Sequence, residues 1–146
     1  MSLAALAADR PDAPAFVAAE SGETLSFARL NTASTQLARV LRSELAVGDR
    51  VAVLLDNGPS FSIATWACRR AGLRLVPVNW HLTFEEAAYI VDNSDALALI
   101  TTPRLAEIAA KIASENARLR LRLSDAAAFD TFLDLADLCR SGQPLP

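Results

Sequence analysis

Residues 48–101 read GDRVAVLLDNGPSFSIATWACRRAGLRLVPVNWHLTFEEAAYIVDNSDALALIT, and this stretch decides the fold. Three short apolar runs stand in it, at 51–55, 73–78 and 97–100. Two amphipathic segments, 59–71 and 83–91, separate them. Apolar runs alternating with helical patterns are the signature of βαβ units and a parallel sheet. Strands buried on both faces read as nearly unbroken apolar runs, as these do.

The punctuation agrees. Pro59 suits the first position of a helix, where its missing amide hydrogen is not needed, and Asn57 or Gly58 can cap it. The helix over 59–71 carries Phe61, Ile63, Ala64, Trp66, Ala67, Cys68 and Ala71, apolar nearly all round, so cover on more than one side is expected. Gly72 fits its stop. Thr83 and Glu86 make a capping box for the next helix, whose core face is Phe84, Ala87, Ala88 and Val91.

Upstream, residues 1–8 read as a short helix. Arg10 to Pro14 is a turn, because two prolines forbid a helix interior. A strand over 15–19, a turn at Ser21-Gly22 and a return over 24–26 make a small hairpin. A long helix starts at or near Ser26, with Phe27, Leu30, Ser34, Leu37 and Leu41 on one stripe. Downstream, 103–116 is helical, with Leu105, Ile108, Ala109 and Ile112 at helical spacing. Residues 119–123 alternate Leu and Arg, which predicts a strand with one wet face at the sheet edge. Residues 131–140 read as a last helix, and 141–146 has the composition of a linker. One domain over 1–140 is therefore expected: α/β, a mainly parallel sheet of about five strands with helices on both faces.

Composition narrows function. Of 146 residues, 52% are hydrophobic and 21% charged, as in globular proteins. A formal net charge of −3 gives no electrostatic support for binding nucleic acid. No run is long enough for a transmembrane segment, and the N-terminus lacks the basic region of a signal peptide, so the cytoplasm is the expected location. The two cysteines, Cys68 and Cys139, lie far apart in helical patterns and read as small buried hydrophobes, not metal ligands or a disulfide.

Few residues invite chemistry. The five glycines are dispersed, so no phosphate loop or dinucleotide fingerprint is present. Asp56 ends a parallel strand, where a phosphoacceptor aspartate would stand, but the acidic pair and lysine that such a site needs are missing; a turn aspartate is the better reading. His81 is the only histidine, and no G-x-S-x-G elbow accompanies it. Arg118, Arg120 and Arg122 are read as lying on one strand face, as a charged guard of the sheet edge rather than a phosphate site.

The run Arg70-Ala71-Gly72-Leu73-Arg74-Leu75-Val76-Pro77-Val78-Asn79 resembles the second core motif of the adenylate-forming enzymes. These include the AMP-dependent acyl-CoA synthetases, the luciferases and the adenylation domains of peptide synthetases. Leu25-Ser26-Phe27-Ala28-Arg29-Leu30 is similar to their first core motif, with Arg29 where the family usually has Glu. Asp49-Arg50-Val51-Ala52 and Asn57-Gly58-Pro59-Ser60-Phe61 fit two further pieces, in order. The continuation from Asn79 to Glu86 looks most like the acyl-CoA synthetase branch.

The resemblance implies the first subdomain of the adenylate-forming fold. It also implies an ATP-dependent acid–thiol ligase using ATP, Mg²⁺ and CoA. In that family the Ser/Thr/Gly-rich phosphate loop and the catalytic lysine lie downstream of the matched region, so no catalytic residue is carried over and this chain alone is expected to be inactive. In the acetyl-CoA synthetase branch the loop matching Asn79, Trp80 and His81 helps to hold the CoA nucleotide, with small glycines where this chain has Trp80 and His81. The resemblance thus implies a CoA contact at this loop, with plain packing as the alternative. The implied partner is the remainder of the enzyme or a second copy of the chain. The alternative is a non-catalytic truncated product, or an α/β interaction module that needs a partner over its apolar face.

Overall fold

The structure is a computed structural model and describes residues 2–141. Its elements are α1 (Leu3–Asp9), β1 (Pro14–Val17), β2 (Thr24–Ser26), α2 (Phe27–Glu44), β3 (Arg50–Val53), α3 (Pro59–Ala71), β4 (Arg74–Pro77), α4 (Phe84–Asn93), β5 (Ala98–Thr101), a 3₁₀ turn (Pro103–Leu105), α5 (Ala106–Glu115), β6 (Leu121–Ser124), β7 (Leu133–Asp134) and α6 (Leu135–Ser141). The strands β1 and β2 form the expected antiparallel hairpin. The other five form one sheet in the order β4-β3-β5-β6-β7, and every pairing in it is parallel.

Side chains alternate across this sheet and meet a different helical layer on each side. Val51, Val53, Ile100 and Leu123 pack with Leu37 and Leu41 of α2 and with Ala64 and Cys68 of α3. Ala52, Leu54 and Leu99 pack with Val91 of α4, with Ala109 and Ile112 of α5, and with Phe132. Helices therefore cover both faces, as the apolar runs imply. Burial at this level is the main source of stability, about 1.5–3 kcal/mol for each large aliphatic side chain removed from water.

The helix α3 is covered twice. Ala64, Ala67, Cys68 and Ala71 face the sheet and α2, while Ile63 and Trp66 pack on a third cluster, Leu3, Leu25 and Leu30, beneath the hairpin. Its local signals hold: Pro59 opens it after Gly58, and Gly72 closes it in the left-handed region at φ 69°. The Thr83–Glu86 capping box forms in full. At α2, Ser26 accepts a hydrogen bond from the Arg29 amide, but Arg29 has no carboxylate to return one.

Four expectations are corrected. The strand β6 does not stand at the sheet edge, because β7 pairs with it through Leu123–Leu133 and Ser124–Asp134. Residues 131–134 are not helical; the stacked rings of Phe129 and Phe132, 4.8 Å apart, close a turn that delivers Leu133 to β6, and α6 starts at Leu135. Ladder bonds to a neighbouring strand here outweigh the local helical preference.

The arginines at 118, 120 and 122 do not form one stripe either. Arg118 is bound by Asp92 and Asp95, and Arg120 lies 3.7 Å from Asp49. Arg122 folds back to the carbonyls of Leu119 and Ala113 and to Thr131 Oγ1. Ser141, expected to open a linker, closes α6. Residues 142–146 lie outside the described residues.

Candidate functional site: a cleft at the switch point of the sheet

The chain leaves β3 toward β4 on one side and returns to place β5 on the other. In open α/β sheets the crevice at such a reversal, at the carboxyl ends of the strands, is where ligands bind. A cleft of about 660 Å³ lies there.

Each wall follows from a strand end. After β3, the buried Leu54 and Leu55 lead into Asp56-Asn57-Gly58-Pro59, and Gly58 caps α3 with no side-chain bond. A Cβ on Gly58 would sit 3.2 Å from Asp56 Oδ1, so the missing side chain leaves room for that carboxylate. After β4, Asn79 Oδ1 accepts from the His81 amide at 3.0 Å and tightens the turn. After β5, the 3₁₀ turn supplies Arg104, and after β6 comes Asp125. The tip of the β1–β2 hairpin, with Glu20 and Glu23, makes the outer wall.

Arg104 joins these walls. Its Nη2 lies 3.2 Å from Asp56 Oδ2, and its Cζ stands 4.7 Å from the centroid of the Trp80 ring. The rings of Trp80 and His81 are 3.5 Å apart and tilted by 32°. A planar cation against an indole is a favourable pairing that leaves guanidinium N–H groups free to bond an anion.

Trp80 and His81 line the cleft; Asn79 is not among the lining residues, and its side chain serves the turn. The indole is already in contact with both His81 and Arg104. Sequence reading missed Arg104. Its signal was a basic residue in the first turn after the carboxyl end of a parallel strand.

Asp56 stands in the turn before α3, as read; its ion pair with Arg104 was not foreseen. The cleft lining holds four carboxylates, Glu20, Glu23, Asp56 and Asp125, against one guanidinium. At the same end of the sheet Thr101 Oγ1, Ser124 Oγ and Asp125 Oδ1 are buried without a hydrogen-bond partner.

The described residues do not fit the triphosphate of ATP. Gly22, Gly48, Gly58 and Gly72 lie in four separate turns, so no glycine-rich cradle of backbone amides forms. Among the described residues no group of three or more His, Cys, Asp or Glu side chains is arranged to hold a metal ion. No described helix is long and apolar enough to cross a membrane. Burial pushes the Cys68 thiol up to about 12, and burial together with the Asp134 carboxylate raises that of Cys139, the opposite of the lowered value that activates a thiol.

Comparison with known proteins gives the context of this cleft. A feruloyl-CoA synthase of Amycolatopsis sp is 37% identical over 94 residues, which is 64% of this chain and 19% of that protein. A fatty acid–[acyl-carrier-protein] ligase of Streptomyces coeruleorubidus is 32% identical over 103 residues, 70% of this chain and 20% of that protein. The chain thus spans about a fifth of the length of these relatives. Among solved structures, a Mycobacterium tuberculosis fatty acyl CoA synthetase superposes with a TM-score of 0.72 at 25% identity, covering 95% of this chain and 27% of that one. The family model described as AMP-binding enzyme matches residues 3–141, and the chain belongs to that family of adenylate-forming ligases.

Proposed function

We propose that this chain forms the first part of an ATP-dependent acyl-CoA synthetase and that its switch-point cleft helps to hold the nucleotide end of CoA. The observation that carries this reading is the cluster of Arg104, Trp80 and His81 at the carboxyl ends of β4 and β5. An arginine offers paired donors to a phosphate, and the ring and guanidinium planes offer a surface for adenine. Asn79 supports the turn that presents them.

The reaction has two steps. A carboxylate attacks the α-phosphorus of ATP, giving an acyl-adenylate and releasing pyrophosphate; the thiol of CoA then displaces AMP. Mg²⁺, when bound, neutralises phosphate charge in the first step. The residues of this chain act in the second, by binding and orienting CoA. They offer no cradle for the triphosphate, so the chain by itself is expected to be inactive in adenylation. Its place of work is the cytoplasm.

The test pairs CoA binding with ATP–pyrophosphate exchange. Trp80 emission that changes on adding CoA, without exchange activity, is the expected result. Exchange by the 146-residue chain alone would overturn the assignment of adenylation to other residues. No response to CoA would remove the cleft from the thiol site.

A second reading rests on exposed apolar side chains. Tyr89 is 68% exposed, and it shares a groove on α4 with Leu82 and Ile90. A non-catalytic module would cover this groove with a partner or a second copy, and solution mass above that of a monomer would favour it.

A further inference from the structure

We propose that Asp56 is a positioning residue that makes the cleft an anion filter: it holds Arg104 in a closed pair, and a ligand phosphate must take the guanidinium from it. The inference rests on the cleft being a ligand site and names the group that sets its selectivity.

Two contacts fix Arg104, and they differ in kind. The Asp56 carboxylate satisfies guanidinium charge at 3.2 Å, whereas the Trp80 ring at 4.7 Å orients the plane without neutralising it. Trp80 therefore keeps Arg104 in place when Asp56 is removed. Both partners of the ion pair are half-exposed, at 57% and 43%, so a ligand reaches them without opening the core. Glu20, Glu23 and Asp125 add negative charge to the same lining, and Arg104 is its one guanidinium. A small free anion thus meets a net repulsive wall whose cation is already paired. A nucleotide compensates by laying its base on the guanidinium and imidazole while its phosphate displaces the carboxylate. Gly58 belongs to the same device, since a Cβ there would press on Asp56 Oδ1 at 3.2 Å.

The sign of the effect separates this role from a structural one. An aspartate that merely supports the loop would, when lost, weaken binding. An aspartate that competes for Arg104 would, when lost, strengthen it. Exposed ion pairs couple weakly, which translates to a gain of about two- to fivefold in affinity for a phosphate-bearing ligand.

The experiment uses the full chain with Trp66→Phe, so that Trp80 alone reports. CoA, 3′-dephospho-CoA and inorganic pyrophosphate are titrated against the parent and against Asp56→Asn, Arg104→Ala and Glu23→Gln. The proposal expects Asp56→Asn to bind CoA and pyrophosphate more tightly, with a smaller gain for 3′-dephospho-CoA. Arg104→Ala should abolish that gain in the double variant. Glu23→Gln, which removes the same charge without touching Arg104, should change affinity less than Asp56→Asn. Weaker or unchanged CoA binding in Asp56→Asn overturns the filter. If CoA gives no response but pyrophosphate responds through Arg104 and more strongly in Asp56→Asn, the filter stands and the CoA reading falls. If neither ligand responds in any variant, both fall.

Discussion

The Nε of Arg70 in α3 donates to Ser34 Oγ in α2 at 3.2 Å, across 36 residues of sequence. Ser34 is fully buried in an otherwise apolar stripe, and its hydroxyl also donates to the Asn31 carbonyl. Arg70 reaches Asn31 Oδ1 as well, so one exposed arginine ties two turns of α2 to the end of α3. A serine at this point keeps the helices close and supplies the acceptor. Ser34→Ala should cost about 1 kcal/mol, the net worth of such a bond. Ser34→Leu should cost about 1–3 kcal/mol by overpacking. Urea unfolding of both variants checks the order; equal costs would mean that space, not the bond, is immaterial here.

Gly72 adopts φ 69°, and a Cβ there would meet Val47 Cγ1 at 3.2 Å. Gly22 adopts φ 72° with nothing within 4 Å. Alanine at either position carries the left-handed penalty of about 1–2 kcal/mol. Gly72→Ala should exceed Gly22→Ala because of the valine, and Val47→Ala added to Gly72→Ala should recover that excess. Thermal unfolding of the three variants measures it.

The two helix starts make a matched pair. Thr83→Ala breaks the complete box at α4 and should cost about 1 kcal/mol. Arg29→Glu replaces a cation with an anion in the first turn of α2, and should gain about 0.3–1 kcal/mol from the helix dipole. A loss of stability in Arg29→Glu would show that Arg29 has a role outside the cap.

Burial raises the Cys68 thiol from 9.0 to about 12. The native state then holds its proton more tightly than the unfolded chain. Between those values the unfolded thiol ionises and the native one does not, so stability is intact below about pH 9 and falls as pH rises through the window. The unfolding midpoint of the parent should drop more steeply above pH 9 than that of Cys68→Ala. Parallel curves would contradict the burial argument.

Arg122 is half-buried and bonds two carbonyls and a hydroxyl, while Arg120 makes one loose ion pair at 3.7 Å. Arg122→Ala should cost about 1–3 kcal/mol because buried carbonyls lose their donor. Arg120→Ala should cost about 1 kcal/mol or less. Comparable losses would restore the expectation that the arginines act as one stripe.

Local chemistry was legible in the sequence. The Thr83–Glu86 box, Pro59 at the start of α3 and Gly72 at its end are signals completed within a few residues, so no fold is needed to read them. The apolar runs at 51–55 and 97–100 reported burial on both faces, because a strand's own residues carry that record; the run at 73–78 did not, since β4 lies at the sheet edge with Arg74 and Pro77 exposed. The order of the family pieces then named the subdomain. Leu133 and Asp134 were not legible as a strand, since two residues have no period of their own.

The sequence by itself determined that the protein is a parallel α/β unit of the adenylate-forming kind, with a loop after β4 that bears Trp80 and His81. The tertiary structure alone decided that β6 lies inside the sheet, that its arginines have separate partners, and that Asp56, Trp80 and Arg104 meet. The physical reason is distance along the chain. Caps and strand burial are set by neighbours three or four residues away. Asp56 and Arg104 are 48 residues apart, and they are neighbours only because the crossovers reverse between β3 and β5.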